Sequence, residues 1–152
     1  MPHIVSIVYR PADVPASPAD HYARVELERA ELFTGGGIRG DRKGRHPKRQ
    51  LNVMGRDTLD ALGAEGLSTG PGEMGEQLVI GDLDEPLERL ASGTRLQLGE
   101  QAVIELVEPR TGCERFETIQ GRPATQVAGR LGMMARVVQD GAIARGDRVQ
   151  VL

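Results

Sequence analysis

The chain has 152 residues, a formal net charge of -3, 39% hydrophobic and 27% charged residues, a balance that builds a packed core rather than a disordered chain. Net acidity and only 3% aromatic residues argue against a nucleic-acid binder, which needs a basic footprint and stacking platforms. No stretch approaches the about 20 apolar residues that span a bilayer, no secretory leader is recognisable, and one cysteine forms no internal disulfide, so a single cytoplasmic domain over 1–152 is expected, without membrane or nucleic-acid partners.

His3–Tyr9 (HIVSIVY) is a β-branched run followed by Pro11, Pro15 and Pro18, which predicts a strand entering a proline-punctuated loop. From Tyr22 to Phe33 two periods compete: Val25 and Leu27 alternate, while Ala23, Leu27 and Ala30 also fit helical spacing, and strand is the preferred reading. Gly35, Gly36 and Gly37 break that pattern, and a basic loop from Arg39 to Arg49 precedes an apolar run at Leu51–Met54. Asp57–Glu65 (DTLDALGAE) opens on an acid and places Leu59, Ala61 and Leu62 on one side, the clearest helix of the chain. Gly66 and Gly70-Pro71-Gly72 end it. Gln77–Ile80, Arg95–Leu98 and Val103–Val107 then read as strands, with Gly81, Gly93 and Gly99 at their turns. Ala135–Val138, a Gln139-Asp140-Gly141 turn and Asp147–Leu152 close the chain as further strand. Many short strands among 20 Gly and 9 Pro predict a mainly β protein, a closed or nearly closed β-barrel with one or two short helices.

Cys113 follows a predicted strand in Glu108-Pro109-Arg110-Thr111-Gly112-Cys113-Glu114-Arg115. Thr111 and Glu114 have capping-box spacing, which would place Cys113 in the first turn of a short helix, with Arg110 and Arg115 on either side. Amide donors and guanidinium groups favour the thiolate, the form that attacks electrophilic sulfur or ligates a soft metal. The plainer alternative is a small buried hydrophobe, against which its polar and charged neighbours speak.

Between Gly37 and Gln50 six basic residues, Arg39, Arg42, Lys43, Arg45, Lys48 and Arg49, stand against one acid, Asp41. Guanidinium groups grip phosphate through paired hydrogen bonds, so this loop could hold one phosphorylated small molecule; the bland alternative is a solvated hairpin loop. Asp41 serves there as an ion-pair partner or turn residue. Glu76 and Gln77, in Gly72-Glu73-Met74-Gly75-Glu76-Gln77-Leu78, could orient a ligand or hydrogen-bond the barrel rim. His3, His21 and His46 are too scattered for a zinc pattern, and no GxGxxG, P-loop, GxSxG or HExxH motif is present.

In order, Gly37-Ile38-Arg39-Gly40-Asp41, Arg49-Gln50-Leu51, Pro71 to Leu78, Gly93, Leu98-Gly99, Arg110-Thr111-Gly112-Cys113, Gly129-Arg130-Leu131-Gly132 and Gly146-Asp147 resemble the MOSC domain, named for the C-terminal domain of molybdenum-cofactor sulfurase. The resemblance runs from about Ala30 to the C-terminus and implies a β-barrel-like fold. It implies that Cys113 carries a persulfide or ligates molybdenum, and that basic positions, matched most closely by Arg42 and Arg49, face the phosphate of the cofactor's pterin (molybdopterin). The set Asp41, Arg42, Lys43, Arg45, Arg49, Glu76, Gln77 and Arg110 is the expected cofactor-binding group. Relatives often carry Asn at the position of Gln77 and Pro at that of Gly112, and many have a His after Asp41 that this chain lacks. Pyridoxal phosphate is tied to the family through a desulfurase, and no Schiff-base lysine is recognisable here.

Three readings follow: a sulfur carrier supplied by a cysteine desulfurase and serving a molybdoenzyme, a molybdenum-dependent reductase of N-hydroxylated compounds paired with an electron-transfer protein, and a noncatalytic anion-binding barrel.

Overall fold

The computed structural model describes residues 1–11, 24–42 and 46–152, together with every side chain of those residues except that of Arg115. Pro15, Pro18, Tyr22, Ala23, Lys43 and Arg45, on which expectations were placed above, lie outside the described residues.

The architecture is mainly β with two short helices. The strands are β1 (His3–Tyr9), β2 (Val25–Leu27), β3 (Arg29–Phe33), β4 (Gly37–Ile38), β5 (Leu51–Gly55), β6 (Leu78–Gly81), β7 (Arg95–Leu98), β8 (Ala102–Pro109), β9 (Met133–Gln139), β10 (Gly141–Ala144) and β11 (Val149–Val151). Helix α1 (Arg56–Ala64) lies between β5 and β6, and α2 (Glu114–Gln120) follows β8. The ambiguous segment is thus strand where it is described, and α1 begins one residue before the predicted start.

Eight strands form one sheet in the order β11-β7-β8-β9-β5-β6-β1-β2, and β10-β3-β4 form a second. Every pairing is antiparallel except β5 with β6. A parallel pair needs a crossover rather than a hairpin, and α1 with the turn-rich segment after it supplies one. Among the described residues neither sheet closes on itself into a continuous ladder. Between its two flanks there is one isolated bridge, His3 to Arg148, with Ile4 N–H donating to Asp147 O at 2.8 Å, Gly146 N–H to Ile4 O at 2.7 Å and Val149 N–H to Pro2 O at 2.9 Å. The final turn joins the two sheets. At Asp140, whose Oδ1 accepts the Thr34 N–H at 2.7 Å, the chain leaves the large sheet, and β10 pairs with β3 instead of folding back on β9. Alternation within the closing segment carries no information about which sheet each half joins.

Two apolar clusters explain the strand patterns. One gathers Ile4, Ile7, Leu51, Val53, Leu78, Ile80, Leu106, Met133 and Val137, among others, on the inner face of the large sheet. The second lies under the helices and contains Met54, Leu59, Leu62, Met74, Val79, Phe116, Val127 and Leu131. β5 and β6 serve both: Val53, Leu78 and Ile80 face one cluster while Met54 and Val79 face the other. Burial on both faces is why β6 reads as an unbroken apolar run and β5 as one broken only at Asn52. β9 has one buried face and alternates, Met133, Ala135 and Val137 inward.

At Gly132 the backbone has φ +75°, and a Cβ there would lie 1.9 Å from the Val53 carbonyl oxygen. Its amide donates to Glu88 Oε1 at 2.7 Å and its carbonyl accepts the Arg110 N–H at 3.0 Å, so this glycine seats the start of β9 against β5 and the end of β8. Gly132→Ala should cost about 2–5 kcal/mol, from backbone overlap and left-handed strain together. Urea unfolding monitored by circular dichroism measures it, and a loss below about 1 kcal/mol would contradict this packing.

Candidate functional site

The site begins with a turn. Residues 70–77 carry the chain into β6, and two adjacent polar side chains, both buried, hold them. Glu76 accepts the Gly72 N–H on Oε2 at 2.7 Å and the Met74 N–H on Oε1 at 3.1 Å. Arg110 clamps the same turn from outside, donating from Nη1 to Met74 O at 2.6 Å. Gln77 works in the other direction. Its Oε1 accepts the Asn52 N–H at 2.7 Å and its Nε2 donates to Asp41 Oδ2 at 3.2 Å, while Asp41 Oδ1 accepts the Arg10 N–H at 3.2 Å. Asn52 Nδ2 donates to Gly75 O at 3.1 Å. Strand β5, the turn and the start of the basic loop are therefore joined through side-chain hydrogen bonds.

Above this network opens a cavity of about 600 Å³, within the about 300–1,000 Å³ common for small-molecule sites. Asn52 of β5 and Gln77 form part of its lining, Glu108, Pro109, Arg110, Thr111 and Cys113 contribute another wall, and Met134 of β9, Arg24, His46 and Arg49 complete it. Cys113 is exposed, which sets aside the buried-hydrophobe alternative. It is the N-cap residue of α2 rather than a member of its first turn, and no side chain caps the helix. The predicted capping box is therefore absent. Phe116, fully buried in the second cluster, fixes where this short helix begins, and Thr111 lies two residues outside its N-cap. Local side-chain bonds come from Glu117, which accepts the Ala124 N–H on Oε2 at 2.7 Å, and from Thr118, whose Oγ1 donates to Glu114 O at 3.1 Å.

Of the residues singled out from sequence, Cys113, Arg110, Gln77 and Arg49 meet at the cavity. Asp41 stands behind Gln77, buried, and Glu76 is enclosed in the turn with its carboxylate oxygens taken by amides; neither lines the cavity. Arg42 is exposed and donates its N–H to Arg10 O at 2.8 Å. Arg39 is turned to other partners: its Nε donates to Glu31 Oε2 at 3.0 Å and its guanidinium sits 4.9 Å from the Phe33 ring centroid. Of the described residues of the basic loop, His46 and Arg49 line the cavity. Arg24, Asn52, Glu108 and Met134 were not singled out. Asn52 interrupts an apolar run and Met134 sits at an outward position of an alternating strand, signals that could have marked them; Arg24 carries none.

The Glu76 carboxyl is pushed above its ordinary value of 4.5 by burial, opposed by the backbone amides of the turn and the Arg24 charge. Folding therefore binds a proton more tightly at Glu76 than the unfolded chain does, and the stabilisation this supplies, complete below pH 4.5, is lost as pH rises through the raised folded value. Wild-type stability should accordingly decline relative to Glu76→Gln as pH rises from 4.5 towards 7. Chemical denaturation of both proteins across that range tests this, and a pH-independent difference between them would refute it.

The family model described as "MOSC domain" matches residues 40–150. Among solved structures, the YuaD protein from Bacillus subtilis superposes with a TM-score of 0.77 at 17% identity, covering 99% of this chain and 96% of its own. YiiM from Escherichia coli does so with a TM-score of 0.72 at 19% identity, covering 99% and 69%, and YiiM from Geobacillus stearothermophilus with 0.67 at 13%, covering 99% and 72%. No curated protein matches the sequence significantly. No helix among the described residues is long and apolar enough to cross a membrane. With the family match spanning well over half of the chain and these structures sharing its fold, the chain belongs to the MOSC domain family, which is linked to molybdenum-cofactor binding.

Proposed function

We propose that this protein binds the molybdenum cofactor in the cavity beside Cys113 and handles sulfur or molybdenum through that thiol. The observation that carries the reading is the meeting of one exposed thiol with the guanidinium-bearing residues Arg24, Arg49 and Arg110 on a single cavity large enough for one small anionic molecule. Arginine suits a phosphate monoester because its planar fork pairs with two oxygens. A bound cofactor would supply metal redox chemistry or a site that accepts sulfur; the protein holds the phosphate and presents the sulfur ligand. Among the described residues no group of three His, Cys, Asp or Glu could hold a metal by itself, so Cys113 is the protein ligand that this reading assigns to molybdenum.

As a sulfur carrier, the Cys113 thiolate attacks the outer sulfur of a donor persulfide. A new S–S bond forms at Cys113, the donor's S–S bond breaks, and the donor leaves as a thiolate, with no net oxidation. A cysteine desulfurase is the class of donor and a molybdoenzyme the class of acceptor. The barrel implied by the family belongs to this reading; it is supported by the hydrogen bonds joining residues 2–4 to 146–149.

Native protein purified from a molybdenum-replete host, alongside Cys113→Ser, tests the proposal by metal, pterin and intact-mass analysis. The wild type should carry pterin with molybdenum, or a mass increase of one sulfur removed by dithiothreitol, and the variant should lose the metal or the added sulfur by at least tenfold while staying folded. Reductase activity on N-hydroxylated compounds with stoichiometric metal would select the enzyme reading over the carrier. Wild type with neither pterin, metal nor persulfide would sink both, leaving an anion-binding module.

A further inference from the structure

Glu108 is the only acid lining the cavity among its described residues. A carboxylate repels the phosphate that the neighbouring arginines suit, so its presence in the wall calls for a second ligand feature. Its placement is specific. The register between β8 and β9 shifts between Leu106 and Glu108, and Glu108 then stands opposite Met134, another lining residue; such an irregularity re-aims a side chain at a sheet end. The side chain is 50% exposed, and its one ion pair is a long one, Oε1 at 3.9 Å from Arg49 Nε. No described residue donates a hydrogen bond to it, so both oxygens retain acceptor capacity. Arg49 is itself 59% exposed, which makes the pair a weak competitor for a ligand.

Resting on the cofactor reading above, we propose that Glu108 recognises the heterocycle of the bound molecule, accepting two parallel hydrogen bonds from the amino group and adjacent ring N–H of a pterin, while Arg24 and Arg110 take the phosphate. The geometry of such an edge matches that of a guanidinium, which carboxylates bind in a fork. Glu108 then supplies acceptors for the ring, and the lining guanidinium groups supply donors for the anion. This orients the ligand with respect to Cys113.

The test uses neopterin, an unphosphorylated pterin, and inorganic phosphate as separate calorimetric probes of the full chain, as wild type, Glu108→Gln and Cys113→Ser. Glutamine keeps the size but offers one acceptor and an amide donor in place of two acceptors. Neopterin affinity should fall at least tenfold in Glu108→Gln and stay within threefold in Cys113→Ser, with phosphate binding in Glu108→Gln unchanged or stronger. Equal or tighter neopterin binding by Glu108→Gln, with phosphate tightened as well, would show that Glu108 merely tempers the arginine charge, overturning this inference and leaving the cofactor reading standing. Binding of benzamidine in place of neopterin would overturn it in favour of an amidine-bearing substrate. Wild type that binds neither neopterin nor phosphate would overturn the inference and the cofactor reading together. Unaltered circular dichroism in each variant confirms that the folded chain is being compared.

Discussion

The arrangement depends on a buried polar knot in which two consecutive side chains, Glu76 and Gln77, satisfy backbone groups on opposite sides of one turn. Burying a carboxylate is costly unless hydrogen bonds replace its water, and Glu76 finds two amides inside a turn that has no helix or sheet ladder to satisfy them. Gln77, one residue later, points the other way because side chains alternate as the chain becomes extended, and reaches β5 and Asp41. Arg110 completes the knot from the wall that carries Cys113. The turn therefore ties together the floor and the thiol-bearing wall of the cavity.

This organisation separates support from contact. Asp41 and Glu76 are buried supports, whereas Gln77 and Arg110 do both jobs, holding the knot and lining the cavity. Arginine and glutamine suit a double role because each has several polar hydrogens, so one can be spent on the protein while others face a ligand. Rigid support of this kind is what a small-molecule site needs if its geometry is to survive between binding events. The thiol is held differently. Phe116 anchors α2 in the apolar cluster beneath the helices, and the chain reaches that helix from β8 across Gly112, so Cys113 stays exposed at the junction while its surroundings are packed.

Membership of the MOSC domain family and the shared fold with YuaD and YiiM place these observations in a known architecture. At 17% to 19% identity the likeness speaks to the fold. The double use of β5 and β6, one face to each apolar cluster, is the part of the fold that brings the cavity lining and the α2 anchor into one frame.

Local pattern in the sequence was enough for the strands His3–Tyr9 and Arg95–Leu98, for the apolar run at Leu51–Met54 and for the helix after β5, because β-branching, alternation and glycine turns act over a few residues. It was not enough for the partners of the side chains. Glu76 and Arg110 looked equally available to a ligand, yet one is enclosed in a turn and the other is shared between a carbonyl and the cavity; Thr111 and Glu114 had capping spacing, yet burial of Phe116 started the helix at Glu114. The basic loop read as one cradle, and only Arg49 and His46 of its described residues line the cavity. Short-range spacing determines which element a residue joins; what its polar atoms meet is decided by which distant strands pair and by the requirement that every buried donor and acceptor be satisfied, and both of those belong to the tertiary structure.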